Sequence, residues 1–406
     1  MASPHPLFIA QTSLMASPQP ASILNTDFCL QIAKCVGLKE IEKGLNFVFS
    51  PLSVHVVLSM IAAGSKGHTL ELMLQFLNSE SIEELNSLSS RLVHLISAEG
   101  AGISGPRLSF ANSVWVEQSF SLKPAFRDIV NSIHKAEARA VKFQMKGDEA
   151  IKEVNAWAKN ATHGLITEIL PSGPTYESTV LVLANALYFK GAWNEKFNAS
   201  ETIQREFYLL DGNSVQVAFI TSKMKQFVCS FDGFKVLKLP YQRGQDKRQF
   251  AMYFFLSDER DGLQDLVQNL TLDPKFLDQY TRLYEVKVGE FRVPRFKISF
   301  GFEASEIMKE MGLVLPFSDQ AEIDEMVEYV QNHGVIRVSE IFHKACVEVN
   351  EEGTEAAAVT AARMEWCKAM TPIDFVADHP FMFMIREEVS GAVLFCGNMI
   401  NPSLIA

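Results

Sequence analysis

The six cysteines, Cys29, Cys35, Cys229, Cys346, Cys367 and Cys396, contain no CxxC pair, and their scatter forms no disulfide framework. Reduced thiols in a reducing compartment follow as the default. No run of about 18 uncharged apolar residues exists, so no membrane-spanning helix is expected. The richest run, 180–189, contains Asn185 and reads as a buried strand. The N-terminal stretch MASPHPLFIAQTSLMASPQPAS has no Lys or Arg, and its apolar run is only Leu7 to Ala10, a poor secretory signal. MASP recurs at Met15, a candidate second start, and 1–25 read as a disordered extension. The expected location is cytoplasmic. Acceptor motifs at Asn160, Asn198 and Asn269 keep an extracellular one open. Basic charge is short as well: 37 Lys and Arg stand against 48 Asp and Glu, a net −11, which argues against nucleic-acid partners. The one basic cluster, Arg243, Lys247 and Arg248, reads as a solvated loop, with a partner-binding patch as the alternative.

Enzyme signatures are missing too. There is no GxSxG elbow, no phosphate loop ending in GK[ST], no GxGxxG and no HExxH. Nine histidines offer no metal-ligand spacing beside a carboxylate. No cofactor, metal site or conventional enzyme activity is expected.

What is present is a large globular chain of 406 residues, 48% hydrophobic, able to bury a core without cross-links. No repeat or Pro/Gly/Ser-rich linker divides it, so 26–406 reads as one domain. Phe28, Ile32 and Val36 keep helical spacing after Thr26-Asp27, and Ser50-Pro51 opens a second helix with Val54, Val57, Leu58 and Ile61 on its apolar face. Further helices are expected at 70–77, 82–96, 152–159 and 304–311. Strands are expected at 108–115, 180–189, 227–239, 250–256, 284–291, 296–300, 381–385 and 393–399. Helices first and strands later fit an α+β class.

One segment stands apart. After a strand in which Ala345, Val347 and Val349 alternate with Cys346, Glu348 and Asn350, the chain runs Glu351, Glu352, Gly353 and then almost only small residues to Ala362. It can be read as an alanine-rich helix, since Ala is the best helix former. Thr354, Val359 and Thr360 are β-branched and weigh against that. Read with period two, Thr354, Ala356, Ala358, Thr360, Ala362, Met364 and Trp366 carry no charge, whereas every charge falls in the set Glu355, Ala357, Val359, Ala361, Arg363 and Glu365. That pattern suits a strand with one buried and one wet face, so the segment can be either an exposed loop or an inserted strand. Fully extended, 353–367 would reach about 50 Å.

At this point the sequence resembles the serpins, and most closely the plant type, from about Asp27 to Asn401. Asn46–Ser53 looks like the NxxxSPLS element, and Asn185–Trp193 like the family's long buried strand and following turn. Asn155, Trp157, Thr162, Gly164 and Ile166 are similar to N-x-W…T-x-G-x-I. Residues 351–358 resemble the hinge of inhibitory members, and Asp374–Phe381 the plant-type signature. The resemblance implies three β-sheets, eight or nine helices and an exposed reactive-centre loop at about 351–374. It implies a monomeric suicide-substrate inhibitor that traps a serine or cysteine protease covalently, with no cofactor.

Carried over by residue, the hinge is Glu351, Glu352, Gly353, Thr354, Glu355, Ala356, Ala357 and Ala358. Ser50, Ser53, Asn185 and His343 match the polar cluster beneath the sheet opening, and Trp193 the tryptophan near its top. Counting seventeen positions from Glu351 puts the reactive bond at Cys367–Lys368; a loop one residue shorter gives Trp366. Many plant members have Leu-Arg here, so this chain departs from them. That departure keeps a second reading open: a non-inhibitory serpin acting as a binding, storage or chaperone-like protein.

Overall fold

A computed structural model describes residues 26–97, 105–172, 177–270, 276–328, 336–353 and 372–404. The expected N-terminal extension lies outside these residues. In chain order the elements are α1 (Thr26–Glu42), β1 (Phe47–Phe49), α2 (Pro51–Ala63), α3 (Gly67–Phe76), α4 (Ile82–Ser97), β2 (Arg107–Glu117), α5 (Pro124–Ser132), β3 (Glu137–Val141), α6 (Phe143–Ala161) and β4 (Leu181–Lys190). Then come β5 (Ile203–Tyr208), β6 (Ser214–Thr221), β7 (Lys225–Ser230), β8 (Phe234–Pro240), β9 (Phe250–Ser257), α7 (Leu263–Leu270), α8 (Phe276–Tyr280), β10 (Glu285–Pro294) and β11 (Phe296–Glu303). The last are α9 (Ala304–Glu310), β12 (Glu340–Val349), β13 (Ile373–Val376), β14 (Phe381–Glu387) and β15 (Val393–Met399). The α+β class and the helix number hold among the described residues.

Three sheets form. The five-stranded sheet has the order β11-β12-β4-β2-β3. A second is built from β1, β15, β14, β9, β8 and β7 and continues into β10. The far half of β10 belongs to a third sheet, with β6 and β5 on one side and β13 on the other.

Local chemistry explains the elements that position the site. Ser50 caps α2, its Oγ accepting the Ser53 N–H at 3.2 Å, and Pro51 supplies a preset φ at the first position. The apolar face expected for α2 proves to be nearly the whole helix: twelve of its thirteen residues are buried, because it runs through the middle of the molecule. The stretch 227–239, read as one strand, is instead the hairpin β7–β8. Aromatic and branched residues recur along it, but Gly233 at φ +80° turns the chain after Asp232. Arg248 is also not a solvated loop residue. Its side chain is 11% exposed, donates from Nη1 to the Leu95 carbonyl at 2.7 Å and lies over the Phe250 ring. A guanidinium there satisfies a carbonyl of the last turn of α4 and meets the negative end of its dipole.

The five-stranded sheet is covered on both faces. Val182, Ala184 and Phe342 pack with Trp115, Phe143 and Trp157 beneath α6. On the opposite face Leu181, Leu183 and Ile341 join one apolar core, and Leu187, Ala345, Val347 and Val349 another. Asn185 and His343 sit at the seam between these two cores.

Candidate functional site at the sheet opening

The centre of the five-stranded sheet is a parallel pair, β12 against β4, in register at seven positions from Glu340↔Val182 to Cys346↔Tyr188. Both strands run toward the hinge. A segment that reversed after β12 and entered between them would be antiparallel to each.

The seam residues lie in one row across three strands, since His343 is opposite Asn185 and Asn185 is opposite Asn112. His343 is 1% exposed, and burial pushes its imidazole down to about 3. The ring is therefore neutral near pH 7. Its Nε2 accepts the Ser50 N–H at 3.0 Å, which places the proton on Nδ1, and Nδ1 donates to Asn185 Oδ1 at 2.8 Å. The Asn185 amide donates to Asn112 Oδ1 and, at 3.4 Å, to the Ala111 carbonyl. The Asn112 amide donates to the His134 carbonyl at 3.3 Å. One chain of hydrogen bonds thus ties α2 to β12, β4, β2 and the turn after α5. Parting β12 from β4 breaks its His343–Asn185 link, worth about 1 kcal/mol between neutral groups.

Of the residues assigned from sequence, Ser50, Asn185 and His343 meet directly. Ser53 joins only through its backbone N–H, and its buried Oγ has no partner among the described residues. Trp193 is not part of this row. It stands past the end of β4, stacked on Tyr241 at 4.5 Å, and its Nε1 donates to the Asn350 carbonyl at 2.8 Å. Asn112 was missed, although a polar residue inside the apolar run 108–115 was the available signal. His134, buried with both ring nitrogens unpartnered among the described residues, carried no such signal.

At the upper end of β12 the hinge is fastened to the segment after β4. The Trp193 N–H donates to the Glu352 carbonyl at 3.1 Å and the Phe197 N–H to the Glu351 carbonyl at 3.0 Å. Glu351 is 6% exposed; its Oε1 accepts the Thr202 hydroxyl at 2.5 Å, and Oε2 faces Arg295 Nε at 3.4 Å. A buried carboxylate needs such partners. Gly353 turns the chain at φ +76°, and a Cβ there would fall 2.2 Å from the Trp193 backbone nitrogen, so only glycine fits. Hinge residues Thr354, Glu355, Ala356, Ala357 and Ala358 and the reactive-bond residues Trp366, Cys367 and Lys368 lie outside the described residues. Ile373 and Asp374, the last positions of the stretch read as a loop, belong to β13.

Among the described residues no His/Cys/Asp/Glu group is arranged to hold a metal ion, and no helix is long and apolar enough to cross a membrane.

Comparison with known proteins agrees with this architecture. Residues 24–402 match the family described as Serpin (serine protease inhibitor). Serpin-ZX of Arabidopsis thaliana is 49% identical over 382 residues, 93% of this chain and 97% of that protein. Serpin-ZXA of Oryza sativa subsp. japonica is 48% identical over 397 residues, 97% of this chain and all of that one. Arabidopsis AtSerpin1, solved in a native stressed conformation, superposes with a TM-score of 0.88 at 48% identity, covering 94% of this chain and 98% of its own. Uncleaved ovalbumin, at 23% identity and a TM-score of 0.79, shares the fold. The chain belongs to the serpin family, among its plant-type members.

Proposed function

We propose that this protein is an irreversible suicide-substrate inhibitor of serine and/or cysteine endopeptidases, acting as a cytoplasmic monomer. The observation that carries the reading is the parallel β12–β4 pair with a fastened hinge at its upper end. The target's nucleophile attacks the carbonyl carbon of Cys367 (Trp366 in the shorter loop). The bond to Lys368 breaks, the new amine takes a proton, and an acyl-enzyme remains. The freed segment from Thr354 onward then enters between β12 and β4, its uncharged set facing the core. One parallel ladder is exchanged for two antiparallel ones, which are more stable per residue. That gain drives the motion, carries the attached protease with it and traps the ester or thioester. In this reading the chain holds the same stressed state as its Arabidopsis neighbour, secured kinetically.

The test is incubation with a panel of serine and cysteine proteases. The expected product is a complex that survives boiling in detergent, with release of a C-terminal peptide beginning at Lys368 (at Cys367 for the shorter loop). Thr354→Arg should still be cleaved but form no complex, because a charge cannot enter the buried face. Clean cleavage without complex across the panel would defeat the proposal. It would favour the non-inhibitory reading, which the departure at Trp366–Cys367 supports. The melting temperature separates the two, since loop cleavage raises it sharply only in an inhibitor.

A further inference from the structure

The β12–β4 pair is also fastened at its lower end, away from the hinge and from the His343 row. The ladder begins at Glu340↔Val182, and half-buried Ser339 stands just before it. The Ser339 N–H donates to the Leu181 carbonyl at 2.9 Å. Its Oγ accepts the Val180 N–H at 3.0 Å and, more weakly, the Leu181 N–H at 3.4 Å. A hydroxyl oxygen has two lone pairs, so one serine takes both donors. From the other side, the Glu117 N–H donates to the Val180 carbonyl at 2.8 Å. The start of β4 is thus gripped between Ser339 and the end of β2.

This corner is braced from outside the sheet by residues 319–328, which lie between α9 and β12 in the chain. The Lys123 N–H donates to the Met326 carbonyl at 2.9 Å, the Glu328 N–H donates to the Ser121 carbonyl at 2.7 Å, and Leu122 bridges Val327. The brace therefore holds the connection from β2 to α5. It also holds the start of α3: the Lys66 N–H donates to the Glu322 carbonyl at 2.8 Å, and the Glu322 carboxylate accepts the His68 N–H at 2.7 Å. The residues leading into β12 are tied to the same region, with the Val338 N–H donating to the Pro316 carbonyl at 3.1 Å and Arg337 paired with Asp319. Because β2 pairs with β4 from Arg107↔Lys190 to Val116↔Leu181, fixing the end of β2 fixes the start of β4.

We infer that Ser339 is a positioning residue, the latch at the lower end of the pair. The brace lets β12 and β4 part from the hinge end, and Ser339 must release Val180 and Leu181 before a strand can lie between them over their full length. For its consequence the inference rests on the inhibitor reading. The bonds to the Ser339 hydroxyl exist in the closed pair and are lost in the parted one, so removing them brings the closed state nearer to the parted one and speeds entry of a strand.

Two measurements on the full chain test the latch without any protease. Hydrogen exchange compares wild type with Ser339→Ala and Ser339→Thr. The alanine variant should lose about 5-fold protection at Val180 and Leu181, the factor expected for one neutral hydrogen bond, and the threonine variant, which keeps the hydroxyl, should retain it. Protection at 345–349 and 82–97 should stay as in wild type, which a general loss of stability would not allow. The second measurement is uptake of a synthetic peptide with the sequence of residues 354–365, followed through the higher melting temperature of the filled protein. Ser339→Ala should take it up about 5-fold faster than wild type, and Ser339→Thr at the wild-type rate. Ser390→Ala, which removes a hydrogen bond to Glu387 in the turn between β14 and β15, controls for stability alone and should leave the rate unchanged. Equal protection of Val180 and Leu181 in wild type and Ser339→Ala overturns the latch. So does lowered protection with measurable uptake at an unchanged rate. If the peptide enters neither wild type nor variant, the inhibitor reading fails while the exchange result still decides the latch.

Discussion

Lowering the pH from 7 to 5 should weaken the native fold well before its carboxylates titrate. Three histidines are almost fully buried: His55 at 2% exposure, His134 at 0% and His343 at 1%. Burial pushes the first two down to about 4 and the third to about 3, with the nearby His55 adding to the effect at His134. In the unfolded chain each titrates near its ordinary value of about 6.5. A depressed folded value means that the unfolded state binds more protons below 6.5, so stability is full above that pH and is lost as pH falls toward 4 and 3. At 1.36 kcal/mol per unit, each ring costs about 2 kcal/mol at pH 5, and the three together about 6 kcal/mol. That is comparable to the whole stability of a typical domain. The assay is the urea midpoint of the first unfolding transition by tryptophan fluorescence at pH 7, 6 and 5. With a slope of about 3 kcal/mol/M, the midpoint should drop by about 2 M. His343→Gln should remove roughly a third of that dependence. A midpoint constant over this range would show that the rings are not shut away from protons, and the reasoning would fail.

Two further outcomes rest on the same geometry. Asn185→Ala removes the acceptor of His343 Nδ1 and the donor to Asn112 Oδ1. It should cost about 2–4 kcal/mol for two buried groups left unpaired, and thermal denaturation should show a lowered transition with faster spontaneous conversion at 37 °C. Gly353→Val places a β-branched side chain at φ +76° and against the Trp193 backbone. The hinge should lift from the segment after β4, and limited proteolysis should cut around 350–353 at least several-fold faster than in wild type, with little change in far-UV circular dichroism.

Much of this protein was legible from its residues alone. Long elements with clean signals came through: α2 behind Ser50-Pro51, β4 as a continuous apolar run around Asn185, β12 with its alternation, and the family itself through motifs spread along the chain. These depend on neighbours in sequence, such as capping, periodicity and side-chain shape. Elements that stayed hidden are short or half-wet, such as β3, β5, β13 and α8, whose form is imposed by the strand or helix beside them. The hairpin within 227–239 was masked because both of its strands are rich in aromatic and branched residues and only a short turn at Asp232-Gly233 parts them. Tertiary structure alone decided which polar residues meet. Asn185 lies 158 positions from His343, yet parallel pairing puts them side by side at the seam of two cores. The same holds for the protonation of the rings: local sequence cannot say which histidines lose water. His343 is driven neutral by enclosure, because desolvation is a property of the packed chain.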